Sequence, residues 1–404
     1  MISVNEALAR ITGPLQPVAT EIVPLAEGVG RVLAEDIVAR RTHPPTAVSA
    51  MDGYAVRAVD VAVVPVALTI VGEAPAGGAY DSTVGAGEAV RIFTGGPLPD
   101  GADAIVMQEL ASREGNTVSI NKSVPVHEFV RPAGLDFSAG DPGPRAGQVL
   151  TPRAIGVIAA MDSPRVRVRC RPRIALLASG DELVAPGKAV SAHQIVNSNS
   201  HALAALVRAN GGEPIDLGIA SDTSESLQKL AAGAEGTDLL ITLGGASVGD
   251  HDLVQKALGD KGLEVNFWKV AMRPGKPMIS GTFGSTAMIG LPGNPVSAMV
   301  CGLIFVIPAL RKLLGLNADP IIREWAQLGT PLTANGHREA YLRGDCCRAD
   351  DGVLLASPFD LQDSSVQSGL AEANCLIVQP PDGPAMETGE QIEIIPLNKI
   401  VTQF

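Results

Sequence analysis

Aromatic residues are scarce in this 404-residue chain, at 3% against 46% hydrophobic residues overall. A core built on rings is thereby excluded, and Val, Ile, Leu and Ala must fill the interior. Charged residues are also few, at 18%, and they sum to a formal net charge of −12. That sign argues against a nucleic-acid partner, which needs a basic face to displace counterions from phosphates. The five cysteines, Cys170, Cys301, Cys346, Cys347 and Cys375, contain no C-x-x-C pair and no disulfide spacing. Reduced thiols in a cytoplasmic protein are therefore expected. The six histidines form no H-E-x-x-H or other ligand spacing, so no zinc site is expected. A Walker loop is missing too, because Gly187-Lys188 lacks the required glycine and hydroxyl neighbours. Long apolar runs are nearly absent. The longest candidate, 296–310, is about a turn short of a bilayer span and carries Pro308. It reads as a buried core helix, with no membrane partner. The N-terminus offers Ser3-Val4-Asn5-Glu6, an S-x-x-E helix capping box, where a secretory signal would place an apolar segment.

What the chain does have in quantity is glycine (44) and proline (30), hence many turns between many short elements. Its length allows two to four domains. Four textures separate along it. Residues 1–42 hold a short helix and an extended piece, and 141–171 hold a helical stretch at 152–161 followed by the β-like run 165–169. From 43 to 140 come short Val- and Ala-rich runs such as 63–72 and 89–93, broken by Gly and Pro, which predict a small mainly-β domain. From 172 to 322 apolar runs (173–179, 214–219, 238–243, 265–270, 287–291) alternate with helical patterns near 199–207, 224–234 and from Pro295. That alternation predicts a doubly wound α/β domain with a parallel sheet covered on both faces. Residues 323–404 return to short β-like runs with turns at 350–352 and 381–383, predicting a C-terminal β-barrel-like domain. The fold class expected is α/β plus β, in an elongated multidomain chain.

Several constellations carry chemistry. Ser49-Ala50-Met51-Asp52-Gly53-Tyr54-Ala55-Val56 holds a carboxylate at a loop tip, although Asp-Gly alone also marks an ordinary tight turn. Three glycine-bearing loops follow strand-like runs, where ligands of such sheets sit: Ser179-Gly180-Asp181-Glu182, the segment 244–249, and Leu291-Pro292-Gly293-Asn294. In the second, Gly244, Gly245 and Gly249 let backbone N–H groups approach an anion, and a helix starting near Asp252 would aim its positive end there. The same stretch spells G-x-S-x-G around Ser247, which leaves a serine nucleophile as an alternative. Lys269, Arg273 and Lys276 lie within eight positions around Pro274-Gly275, as a phosphate or oxyanion cradle requires and as a solvated loop would also show. The carboxylates Asp52, Asp136, Glu182, Asp222 and Asp252 all stand beside turns, where several together can hold Mg²⁺.

Taken together and in this order, these segments resemble the MoeA/gephyrin E-domain family of molybdopterin molybdenumtransferases over essentially the whole chain. The resemblance rests on 49–56, on Thr94-Gly95-Gly96-Pro97 with 101–109, on Gly134-Leu135-Asp136, and on 179–183, 244–249, 267–277 and 291–297. It implies that 172–322 binds molybdopterin, that 1–42 and 141–171 pair as one discontinuous connector and dimerisation domain, and that 43–140 carries the Asp52 loop. It also implies a homodimer whose active cleft is shared between subunits. The reaction implied inserts molybdate into adenylyl-molybdopterin and releases AMP, with Mg²⁺ as cofactor. Contact with the upstream adenylyltransferase and with downstream molybdoenzyme chaperones is implied as well. Asp52, Asp136, Glu182, Lys269 and Lys276 would act in catalysis, with Asp52, Glu182 and Asp252 holding the metal. Ser179, Gly180, Asp222, Gly244, Gly245, Ser247, Gly249, Asp252, Arg273, Pro292, Gly293, Asn294, Ser297, Arg338 and Ser364 would contact substrate. Lys276, Ser297, Arg338 and Ser364 resemble the family's oxyanion contacts. Two departures stand out: Arg273 occupies a position that is Lys in many members, and Thr46 and Val48 replace an aromatic and a polar residue before the Asp52 segment. A non-catalytic scaffold on the same fold is a further alternative, and it would be expected to carry long linkers or added domains.

Overall fold

The computed structural model describes residues 1–244, 257–318 and 321–399, together with Val254. Strand Arg173–Ser179 is apolar from Ile174 to Ala178 because it is an inner strand of a six-stranded sheet. Glu213–Ala220 flanks it on one side and Leu239–Leu243 on the other, both parallel, and Thr286–Leu291 continues the parallel set. Successive side chains of a strand point to opposite faces, so a strand covered twice needs no polar side. Ile174, Leu176 and Ala178 accordingly join one core with Leu203, Val207 and Val300, while Ala175 and Leu177 join another with Leu227 and Ala231. The doubly wound unit expected from sequence is present, but its sheet is mixed. Ile279–Phe283 and Leu263–Trp268 complete it antiparallel. The first of these does not stand out in the sequence, because Ser280, Gly281 and Thr282 break its apolar run. Gly281 is needed there, since a Cβ would lie 2.2 Å from the Glu264 carbonyl oxygen of the adjacent strand.

The apolar rod Pro295–Leu313 is long and apolar enough to cross a membrane by length and composition, yet 83% of it lies inside the molecule. Five of its residues, Gly302–Val306, turn as a π-helix that ends two positions before Pro308. A wider turn there reroutes the hydrogen-bond ladder around a residue that has no N–H to give. Helix Val4–Thr12 is capped as the sequence predicts, with Ser3 Oγ accepting from Glu6 N at 3.1 Å. It buries Val4, Ala7, Leu8 and Ile11, an i, i+3, i+4, i+7 stripe, in the same core as the rod. This part of the 1–42 segment therefore packs on the α/β unit and not on the connector.

Parts of the segments 1–42 and 141–171 meet in space. Thr20–Pro24 pairs antiparallel with Arg165–Arg169, and Val23, Leu33, Leu150, Ile158, Val166 and Val168 share one core. Between the two segments in the chain comes a six-stranded sheet ordered Ala104–Met107, Gly53–Val56, Glu88–Ile92, Val66–Ala74, Thr117–Ile120 and Ala111–Glu114. In the C-terminal unit, Glu339–Arg348, Leu354–Pro358, Glu324–Leu328, Gln391–Pro396 and Cys375–Gln379 follow one another, and the last pairs back to the first, closing a five-stranded barrel. The short strand Met272–Arg273 of the α/β unit adds parallel to Glu339–Ala340 and ties the two units together.

Candidate functional site

From Arg173–Ser179 the chain winds outward to Glu213–Ala220, then returns to the opposite side at Leu239–Leu243. Where the winding reverses, the chain leaves the carboxyl ends of the neighbouring strands Arg173–Ser179 and Leu239–Leu243 toward opposite sides, and a crevice opens there. It is a cavity of about 670 Å³. Ser179, Gly180, Glu182, Asp222, Gly244, Pro292, Gly293 and Asn294 share its wall, so three separate loops marked by sequence converge on one place.

Glycine is what lets them converge. Gly180 and Gly244 have φ of 145° and 90°, conformations that L side chains rarely adopt. A Cβ on Gly244 would lie 2.6 Å from the Ser179 carbonyl oxygen, and one on Gly293 would lie 3.6 Å from the Gly244 Cα. The Glu182 carboxylate folds back over Gly180, whose absent Cβ would lie 2.3 Å from Oε2. Asp222 is held to the same loop reciprocally: its N–H donates to Asp181 Oδ1 at 3.1 Å, and its Oδ2 accepts from Asp181 N at 3.4 Å. Two helices begin at the wall, Asn199–Ala209 and the rod from Pro295, and their first N–H groups and positive ends favour an anion. Asn199 Nδ2 donates to the Gly293 carbonyl at 2.7 Å and joins these two ends.

Sequence reasoning missed part of the wall. Asn197, Ser198 and Asn199 line it, as do Ser365 and Gln367 from the C-terminal unit. The Asn-Ser-Asn-Ser run was legible as a helix start, whereas the approach of residues 365–367 has no local signature. Ser364 itself accepts from Asn294 Nδ2 at 2.9 Å, and its carbonyl accepts from Val296 N at 3.1 Å.

The basic cradle stands beside the cavity and not in its wall. Lys269 has φ of 70° and places Nζ 3.4 Å from the Trp268 ring centroid. Arg273 is exposed on the strand that pairs with the barrel, and Lys276 is half-buried, its carbonyl accepting from Val270 N and Met278 N at 3.1 and 3.0 Å. Gly275 between them packs on Cys301, where a Cβ would lie 2.5 Å from Sγ. Pro277, next to Lys276, does line the cavity. Ser297 is buried one turn behind Asn294, and Arg338 is half-buried just before strand Glu339–Arg348.

Asp52 and Asp136 lie on the 43–140 domain. Asp52 is exposed, and its Oδ1 accepts from Thr94 N at 2.8 Å and Thr94 Oγ1 at 2.9 Å. Those two donors, the amide first, hold its carboxyl below the usual carboxylate range, and the nearby Arg91 charge adds to the effect. The Arg91 guanidinium is itself fixed over the Tyr54 and Phe93 rings, at 5.2 and 4.9 Å. Asp136 lines a second cavity of about 610 Å³ with His43, Arg131 and the two departures Thr46 and Val48. Gly245, Ser247, Gly249 and Asp252 lie outside the described residues. Among the described residues no group of three His, Cys, Asp or Glu side chains is placed to hold a metal ion, and Asp52 is not part of the cavity wall that holds Glu182.

Fold and site define a ligand-binding α/β protein, carrying an anion-receptive cavity at its switch point and roofed partly by a C-terminal barrel. Family models agree along the chain: MoeA N-terminal region (domain I and II) over residues 2–161, probable molybdopterin binding domain over 175–312, and MoeA C-terminal region (domain IV) over 326–397. The molybdopterin molybdenumtransferase of Nostoc sp. is 37% identical over 388 residues, covering 94% of this chain and 89% of that protein. The one from Haemophilus influenzae is 32% identical, covering 99% and 100%. A crystal structure of the molybdopterin biosynthesis MoeA protein of Pyrococcus horikoshii superposes with a TM-score of 0.84 at 30% identity, covering 98% of this chain and 99% of that one. The chain belongs to the MoeA family of molybdopterin molybdenumtransferases.

Proposed function

We propose that the protein inserts molybdate into adenylyl-molybdopterin, releasing AMP and leaving molybdenum on the dithiolene. The observation that carries this reading is the switch-point cavity, where glycine loops, two helix N-termini and the carboxylates Glu182 and Asp222 face one space. Backbone N–H groups and helix ends would hold the substrate's phosphates, and the Lys269, Arg273 and Lys276 cluster would draw molybdate towards them. Local cations are needed because the chain as a whole is at −12 and repels a dianion, while charges beyond about 8 Å are largely screened at physiological salt.

Magnesium fits the donor set. It takes one or two carboxylates plus phosphate oxygens and waters, and Glu182 and Asp222 stand in the wall together. When bound it would neutralise phosphate charge, and the chain's own part is to hold and orient those two carboxylates through the Gly180 and Asp181 contacts. Asp52 lies outside the cavity wall, which favours a homodimer in which the Asp52 loop of one copy completes the cleft of the other. The setting is cytoplasmic, and the substrate comes from an adenylyltransferase.

The test is AMP release from purified protein given adenylyl-molybdopterin, Mg²⁺ and molybdate. AMP release that ignores molybdate would end this reading. In the same assay Lys276→Ala should raise the half-saturating molybdate at least tenfold, about 1.4 kcal/mol, with Lys276→Arg recovering part of it. An equal loss for both substrates would assign Lys276 to the phosphates instead.

A further inference from the structure

Asp52 is exposed at a loop tip, where backbone and side chains are ordinarily mobile. Thr94 holds its carboxylate, and a different group holds its backbone. Arg91 stands on strand Glu88–Ile92, directly across the ladder from Tyr54. Its Nη1 donates to the Gly53 carbonyl at 3.1 Å, and its Nη2 donates to Gln108 Oε1 at 2.6 Å. Gln108 N in turn donates to the Asp52 carbonyl at 3.1 Å. Glu109 orients the Gln108 amide, its Oε1 accepting from Nε2 at 3.2 Å, so that the amide oxygen is the atom turned to Arg91. The carbonyls of Asp52 and Gly53 are therefore both taken, one by the residue that Arg91 grips and the other by Arg91 itself.

The guanidinium is fixed in its own right. In a chain with 3% aromatic residues, two rings meet at this one side chain, Tyr54 and Phe93. Ring faces attract the cation and hold it where it lies. A guanidinium is also a rigid fork that meets two acceptors at a set angle, whereas a lysine ammonium is a point charge on a flexible stem. One strand and the loop after it thus supply Arg91, Phe93 and Thr94, and through them hold both the backbone of the turn and its acid. We propose that Arg91 is a positioning residue for Asp52, fixing its turn so that the carboxylate reaches a neighbouring subunit's cleft in one orientation. The proposal rests on the part given to Asp52 in the functional reading above.

The test uses the full chain with Arg91→Lys, which keeps the charge and removes the fork, and Arg91→Met, which removes both. Each should lower kcat about tenfold and change the half-saturating molybdate and adenylyl-molybdopterin less than about twofold. In an Asp52→Asn background, followed by single-turnover AMP release, that loss should disappear, because both changes act through one carboxylate. Wild-type kcat in Arg91→Lys would overturn the proposal, since charge alone would then suffice. So would a loss confined to the half-saturating concentrations, or one that adds to the loss from Asp52→Asn. If neither variant folds, Gln108→Ala cuts the same path at an exposed position and should lower kcat about threefold in the same cycle, and no loss from it would overturn the proposal. If the wild type shows no molybdate-dependent AMP release, the functional reading fails by itself, and amide exchange then decides whether Arg91 holds the turn. Exchange at 51–54 should be faster in Arg91→Met than in the wild type with 173–179 unchanged, and equal rates at 51–54 would mean that it does not.

Discussion

Two turns of this protein place a glycine beside an acid, and they use it in opposite ways. In the 43–140 domain, Gly53 follows Asp52 and opens strand Gly53–Val56, where a Cβ would lie 2.0 Å from the Val106 carbonyl oxygen. The glycine serves strand packing, and the acid is pinned by Thr94. In the α/β unit, Gly180 takes φ of 145° and leaves room for the Glu182 carboxylate to fold back over it. Here the glycine serves the acid. One turn delivers a fixed charge from a rigid sheet, and the other lets a carboxylate lie along the cavity wall. A clash against backbone cannot be relieved, whereas a clash against the end of a flexible side chain moves that side chain.

The largest test of this contrast mixes the two turns. Chains carrying Asp52→Ala and chains carrying Glu182→Ala should each be nearly inactive. Mixed and allowed to exchange, they should regain roughly a quarter of wild-type activity by statistics, because half of each heterodimer's sites would be intact. No recovery in verified heterodimers would place both acids in one subunit's site. Next in size, Gly180→Ala should lower kcat/KM about a hundredfold, about 2.7 kcal/mol, while the strain of its positive φ lowers thermal melting less than the backbone clash at Gly53 does. Gly53→Ala should do the reverse. Its contact is with backbone, so about 2–3 kcal/mol of stability should be lost, read by denaturant unfolding. Equal effects on melting from both glycines would erase the distinction. The smallest effect concerns Thr94→Val, which removes the hydroxyl donor and keeps the stronger amide donor. The Asp52 carboxyl is held low in the wild type, so its charged form persists as pH falls and is lost only on passing that lowered value. In Thr94→Val the loss should come at higher pH, seen as an upward move of the Asp52 carboxyl titration by NMR and of the acid limb of kcat/KM.

Much of the α/β unit was legible along the chain, for local reasons. Strand Arg173–Ser179 reads as doubly buried because every position from Ile174 to Ala178 is apolar, and helix Val4–Thr12 announces itself by its capping box. The loops at 179–182 and 291–294 follow strands with glycine at the turn, and that pattern places ligands at carboxyl ends. The hairpin strand Ile279–Phe283 was not legible, since its polar and glycine residues suit an antiparallel neighbour that only the fold supplies.

What the sequence by itself determined is the inventory: an aliphatic core, four textures, three loops bound for one sheet edge, and the motifs that mark the family. Only the tertiary structure decided which of those residues meet. Asp181 and Asp222 lock together across 41 positions, and Asp52 meets Thr94 across 42. The first helix leaves the connector segment to pack on the α/β core, and Asn294 meets Ser364 across 70 positions. The reason is physical. Periodicity and turn chemistry act over a few residues, whereas the partner of a buried charge or a wall-lining acid is chosen by how sheets and barrel pack, and no short stretch of chain contains that information.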